Sequence, residues 1–180
     1  MAQLMEMRNV MRWGRWVLLT AALLAVPALA MALNVGDVEW GALDFAVAGV
    51  LLLAAGLLFE YAASRSMSIV QRLAIAIAVL AALGLMWINL AVGMMEVEAG
   101  NAMYLLVVLV GLVGTAIGRF EPREASMVLF ATAATQVVVA VVGLATGLGP
   151  TLPADVAFVL AWGASGLLFR QASLETAPEA

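Results

Sequence analysis

Glu60 asks more of its surroundings than any other ionisable residue in the chain. It follows Leu57, Leu58 and Phe59 in an otherwise apolar run. An acid carried to the centre of a membrane helix costs about 2.5–3.5 kcal/mol on insertion scales, so it requires a partner or water. As chemistry, it would be a proton- or ion-responsive carboxylate. As structure, it would pair at the interface with Arg65 or Arg72, the nearest arginines by topology, and anchor a hairpin; this second reading is preferred. Asn89 and Gln136 are the other deep polar side chains, suited either to lining a permeation path or to hydrogen bonding between helices. Glu60, Arg72, Asn89 and Gln136 are therefore the candidate intramembrane polar site. Asn89 falls about 10 Å outward of Gln136 by helical rise, which leaves a direct bond between them open. Asp44 and Glu60 point to nearly opposite sides of their helix, an arrangement that does not describe one continuous pore.

Asp44 and Asp155 begin helices, where a carboxylate accepts hydrogen bonds from free amides and complements the positive end of the dipole. With Asp37, Glu39, Glu96 and Glu98 they could instead form a cation-collecting mouth of hard oxygen ligands. Their spacing matches no known binding loop, so no metal site is expected. The chain has no histidine and no cysteine. Thiolate zinc and iron–sulfur ligation, histidine haem ligation, a Ser-His-Asp triad and a Cys-His nucleophile are thereby excluded. The remaining carboxylates, arginines and tyrosines have no recognisable nucleophile partner, so neither an enzyme nor a cofactor is expected. The net charge of −4 argues against nucleic-acid binding, which needs a clustered basic surface. The 11 methionines form no tight cluster and read as adaptable apolar packing. Trp13, Trp16, Trp40, Trp87, Trp162, Tyr61 and Tyr104 mostly fall near predicted helix ends, as an interfacial aromatic belt would.

The elements that must position these groups are transmembrane. Of the 180 residues, 66% are hydrophobic and 11% charged, and the mean hydropathy is +1.10. The apolar residues form long runs, giving six segments at about 16–34, 44–63, 70–94, 103–118, 126–147 and 155–169. The fourth and sixth are short for a hydrocarbon core about 30 Å thick, and neighbouring interfacial residues must complete them. Only helices satisfy their backbone in lipid without closing a barrel, and period-two alternation is absent. The expected fold is an all-α polytopic bundle of six helices: a segment 1–15, a helical-bundle domain 16–170 and a tail 171–180.

All eight basic residues are arginine: Arg8, Arg12, Arg15, Arg65, Arg72, Arg119, Arg123 and Arg170. In a six-span layout they share one side, while Asp37, Glu39, Glu96, Glu98 and Asp155 share the other. The positive-inside rule then places both termini in the cytoplasm. An alternative attaches to Arg12, Arg15, the run Val17 to Val26 and Ala28-Leu29-Ala30, which together read as a secretory signal. Cleavage after Ala30 would leave five helices. The apolar stretch continues to Leu33, longer than a usual signal core, which favours a retained helix bent at Pro27.

Helical periodicity puts Gln71, Ile75, Ala78, Ala82, Asn89 and Gly93 on one stripe of the third segment. Thr132, Gln136, Ala140, Gly143 and Gly147 form another on the fifth, and the fourth contributes Gly111, Gly114, Thr115 and Gly118. Helices in lipid approach through small residues, so these faces should meet protein. The spacings Gly114 to Gly118 and Gly143 to Gly147 are GxxxG and suit either internal packing or a seam between subunits.

The stretch Trp87-Ile88-Asn89-Leu90-Ala91-Val92-Gly93, with Asn101-Ala102-Met103-Tyr104, Arg119-Phe120-Glu121-Pro122 and Met127 to Ala133, resembles a family of small uncharacterised bacterial membrane proteins. Val38-Glu39-Trp40 to Asp44-Phe45 is similar as well. The chain departs from that pattern at Glu96 to Gly100, where a proline-containing loop would be usual, and at Glu124 to Ser126, where a glycine would be. The resemblance implies a multi-pass protein of the bacterial inner membrane, and no reaction. The expected function is a structural or accessory membrane subunit, with the lipid bilayer and a homo- or hetero-oligomer as partners; the alternative is a small solute or ion transporter.

Overall fold

The computed structural model describes residues 2–36 and 39–175, with side chains described from residue 14 onward. Asp37 and the side chains of Arg8, Arg12 and Trp13 lie outside the described residues. The chain is all-helical: α1 (Ala2–Ala32), α2 (Ala42–Ala63), α3 (Ile69–Ala91), α4 (Met103–Ile117), α5 (Pro122–Ala145) and α6 (Leu152–Glu175), with a 3-10 turn at Glu98–Ala102 leading into α4. Among the described residues six helical spans are long and apolar enough to cross a membrane. The fourth reaches 20 residues by including the 3-10 turn, as Glu98–Ile117, and the sixth extends well past its apolar core to 24 residues. The chain is a multi-pass membrane protein.

Local chemistry sets the helix ends. Ser68 accepts the amide of Gln71 at 3.1 Å and caps α3. Pro122 opens α5, where its missing N–H would have had no helical partner anyway. Gly93 (φ +83°) and Gly147 (φ +73°) take the left-handed conformation just beyond α3 and α5. Between α4 and α5 two consecutive non-glycine residues are left-handed, Arg119 (φ 51°) and Phe120 (φ 61°). Such backbone persists only where contacts over-determine it. Phe120 stands edge-on to Tyr61 with ring centroids 5.6 Å apart, and its carbonyl accepts Gln71 Nε2 at 3.3 Å.

The chain divides into two compact units, Met1–Glu60 and Tyr61–Ala180. In the first, α1 meets α2 at two glycines: Gly56 faces the indole of Trp16 with no room for a side chain between them, and a Cβ at Gly49 would lie 3.5 Å from Leu24. In the second, α5 packs against both α4 and α6, and α6 against α3. The central position of α5 follows from its small and polar face, since Ser126, Leu129, Thr132, Ala133, Gln136, Val139, Ala140 and Gly143 are buried. The buried face of α3 carries Gln71, Ala74, Ile75, Ala81 and Leu85. It includes the bulky Leu85, which stands three residues after Ala82 and four before Asn89 and so shares their stripe.

Candidate functional site

Glu60 is met within the first unit by α1. Arg15 Nη2 pairs with Glu60 Oε2, and Trp16 Nε1 donates to the same oxygen at 3.4 Å. The pair is half in solvent, with side-chain exposures of 53% for Arg15 and 19% for Glu60. Trp16 also sets its ring edge-on to Phe59 at 6.1 Å. The arginines closest in sequence go elsewhere: Arg65 lies 3.8 Å from the ring centroid of Tyr61, and Arg72 Nε donates to Ser66 Oγ at 2.9 Å. Glu60 is paired with an arginine, but with Arg15 of α1 and not with Arg65 or Arg72.

Among the described residues of the second unit, the buried acid is Asp155. Its residue is 3% exposed, although it stands in the first turn of α6. Gln136 Nε2 of α5 donates to Asp155 Oδ1 at 2.7 Å, and Tyr104 Oη of α4 donates to Asp155 Oδ2 at 3.2 Å. Gln136 and Tyr104 are both fully buried. One carboxylate therefore joins three helices through two neutral donors. The expected role of Asp155 as a surface helix cap is corrected here: its oxygens bind side chains, and its inward position removes it from any outer ring of acids. Asp44 does behave as a cap, accepting the amide of Gly41 at 2.8 Å. Trp162 at 2% exposure and Tyr104 at 0% likewise belong to the core and not to an aromatic belt.

Two loops close the end of the unit where this cluster sits. Glu96 N donates to Gly149 O, Val97 N to Leu148 O and Thr151 N to Met94 O, forming a short ladder with an antiparallel bridge between Met95 and Pro150. Asn101 Oδ1 accepts the amides of Met94 at 2.7 Å and Met95 at 2.8 Å. Asn89 Nδ2 donates to the carbonyl of Asn101 at 3.1 Å. Asn89 and Gln136 therefore serve separate bonds. Met95, 5% exposed, lies against two glycines, and a Cβ added at Gly143 would stand 2.8 Å from its Cε.

The GxxxG glycines find their close contacts inside the chain. A Cβ at Gly114 would lie 2.6 Å from Val128 Cγ1, and one at Gly118 would lie 2.8 Å from Glu124 Cβ, so both bring α4 onto α5. Gly143 accommodates Met95 and Pro150, whereas Gly147 has open space beside it and serves its turn. Two serines add ties that the sequence reading missed: Ser126 Oγ donates to Gly166 O at 2.8 Å and Ser165 Oγ to Ala74 O at 2.7 Å. A hydroxyl mid-helix signals such a bond but names no partner.

Three buried polar atoms among the described residues are without a hydrogen-bond partner: Asn89 Oδ1, Gln136 Oε1 and Trp162 Nε1. The second belongs to the amide already bonded to Asp155. No protein-family profile, curated protein or solved structure matches this chain. Chemically, the Asp155 cluster can hold a single negative charge among neutral donors, and its tyrosine and glutamine are suited to orienting that charge and not to nucleophilic work.

Proposed function

We propose that the chain is a structural or accessory subunit of the bacterial inner membrane, with both termini in the cytoplasm. The arginine distribution supports the orientation. The observation that carries the subunit reading is how the intramembrane polar groups are used. Gln136, Tyr104, Ser126, Ser165 and Gln71 each bond to another helix or to the turn that joins two. Bonds of this kind average about 0.6 kcal/mol in a membrane protein, enough collectively to fix a rigid unit. A rigid unit with minimal loops presents helix faces to neighbouring chains, and lipid covers what they leave.

The test is extraction in a mild detergent followed by native mass spectrometry. A homo- or hetero-oligomer of constant stoichiometry is expected, and a strictly monomeric chain would overturn the reading. A small solute or ion transporter is the second reading, favoured by one feature: a buried carboxylate beside an unpartnered amide oxygen. Flux in proteoliposomes that is lost on Asp155→Asn would establish it in place of the first.

A further inference from the structure

The carboxylate of Asp155 is buried, and its described partners are two neutral donors from Gln136 and Tyr104. Hydrogen bonds lower the cost of that charge without cancelling it, and in lipid an uncompensated charge is costly. Beside it, Gln136 Oε1 is an acceptor with no donor, on a side chain with no exposed surface. These are separate deficits, one of positive charge and one of a bond to an oxygen, and they belong to side chains joined through Gln136 Nε2, 2.7 Å from Asp155 Oδ1. One ligand meets both: a cation that coordinates oxygen.

We propose that Asp155, Gln136 and Tyr104 form a binding site for a small monovalent cation of the sodium class. Carboxylate, amide carbonyl and phenol oxygens are hard donors suited to an alkali ion. A single carboxylate matches a single positive charge, and among the described residues no group of three acids stands ready for a divalent one. The backbone bonds of Glu96, Val97 and Thr151 close this end of the unit over the site. The site requires neither reading of the function, because a structural ion and a transported one use the same ligands.

The experiment is thermal unfolding of the full chain in nanodiscs of uncharged lipid, at constant ionic strength and pH, in sodium, potassium or choline chloride. Sodium at ten times its dissociation constant should raise Tm by about 3–6 °C over choline, in a saturable manner. Asp155→Asn, which keeps shape and removes charge, should abolish the rise, and Gln136→Leu should move its midpoint at least tenfold higher. If Asp155→Asn does not fold, Tyr104→Phe supplies the reading, with a midpoint raised about threefold or more. Equal Tm in all three salts, a sodium response that survives Asp155→Asn, or a Tm that follows pH and ignores sodium would overturn the proposal.

Discussion

The phenol of Tyr104 donates to the carboxylate of Asp155 at 3.2 Å, linking the second residue of α4 to the first turn of α6 across 51 residues of sequence. Neither residue is adequately described by its position at a helix start. Tyr104 is fully buried and Asp155 nearly so, and Gln136 completes the junction from α5. Hydrogen bonds between membrane helices average about 0.6 kcal/mol and reach about 1.7, and bonds that end on a carboxylate belong to the upper part of that range.

Gly114 is required by contact and not by backbone conformation. Its absent Cβ would stand 2.6 Å from Val128 Cγ1, so Gly114→Ala should push α4 away from α5 and cost about 1–3 kcal/mol. The double variant with Val128→Ala should recover much of the loss, because it removes the atom that is struck. Reversible unfolding in mixed micelles measures both. A harmless Gly114→Ala that instead dissociates an oligomer would move this glycine to a subunit seam.

The ion pair of Arg15 with Glu60 should matter little to stability. Arg15 is 53% exposed and Glu60 19%, and solvent screening holds such pairs to about 0.2–1 kcal/mol. Glu60→Gln, Arg15→Gln and the double variant should all fall within that range in the same unfolding assay. A loss of several kcal/mol on Glu60→Gln would mean that the carboxylate sits in a drier place than this geometry gives it.

Asn101 holds the loop before α4 by accepting two successive amides, those of Met94 and Met95. Asn101→Asp keeps the accepting oxygen and should preserve protection of both amides, whereas Asn101→Ala should raise their hydrogen exchange at least tenfold while that of Leu129 in α5 stays unchanged. Uniform loss of protection throughout the chain would show a global role for this residue in place of a local one.

The helices were legible because their apolar runs are long, and the buried face of α5 because small and polar residues recur there: Thr132, Gln136, Ala140 and Gly143 are all buried. The Asp155 junction was not legible. An acid in a first turn has an adequate local explanation as a cap, and only the packing of α4, α5 and α6 places Tyr104 and Gln136 on its two oxygens. Glu60 misled for a related reason: Arg65 and Arg72 are near in sequence, yet Arg15 reaches it from 45 residues away because α1 lies along α2 at Gly49 and Gly56. Trp162 resembled a belt residue by type, but as part of the buried face of α6 with Asp155 and Ser165 it is core.

The central claim is that intramembrane polar groups in this chain hold its helices together, and the bond from Gln136 to Asp155 is where that can be measured most directly. A double-mutant cycle with Gln136→Leu, Asp155→Ala and the combined variant, followed by reversible unfolding in lipid, isolates the pair. A coupling of about 1–2 kcal/mol is predicted, each single change leaving a buried partner unpaired. Additivity within about 0.3 kcal/mol would contradict the account, because the two residues would then stabilise the chain independently.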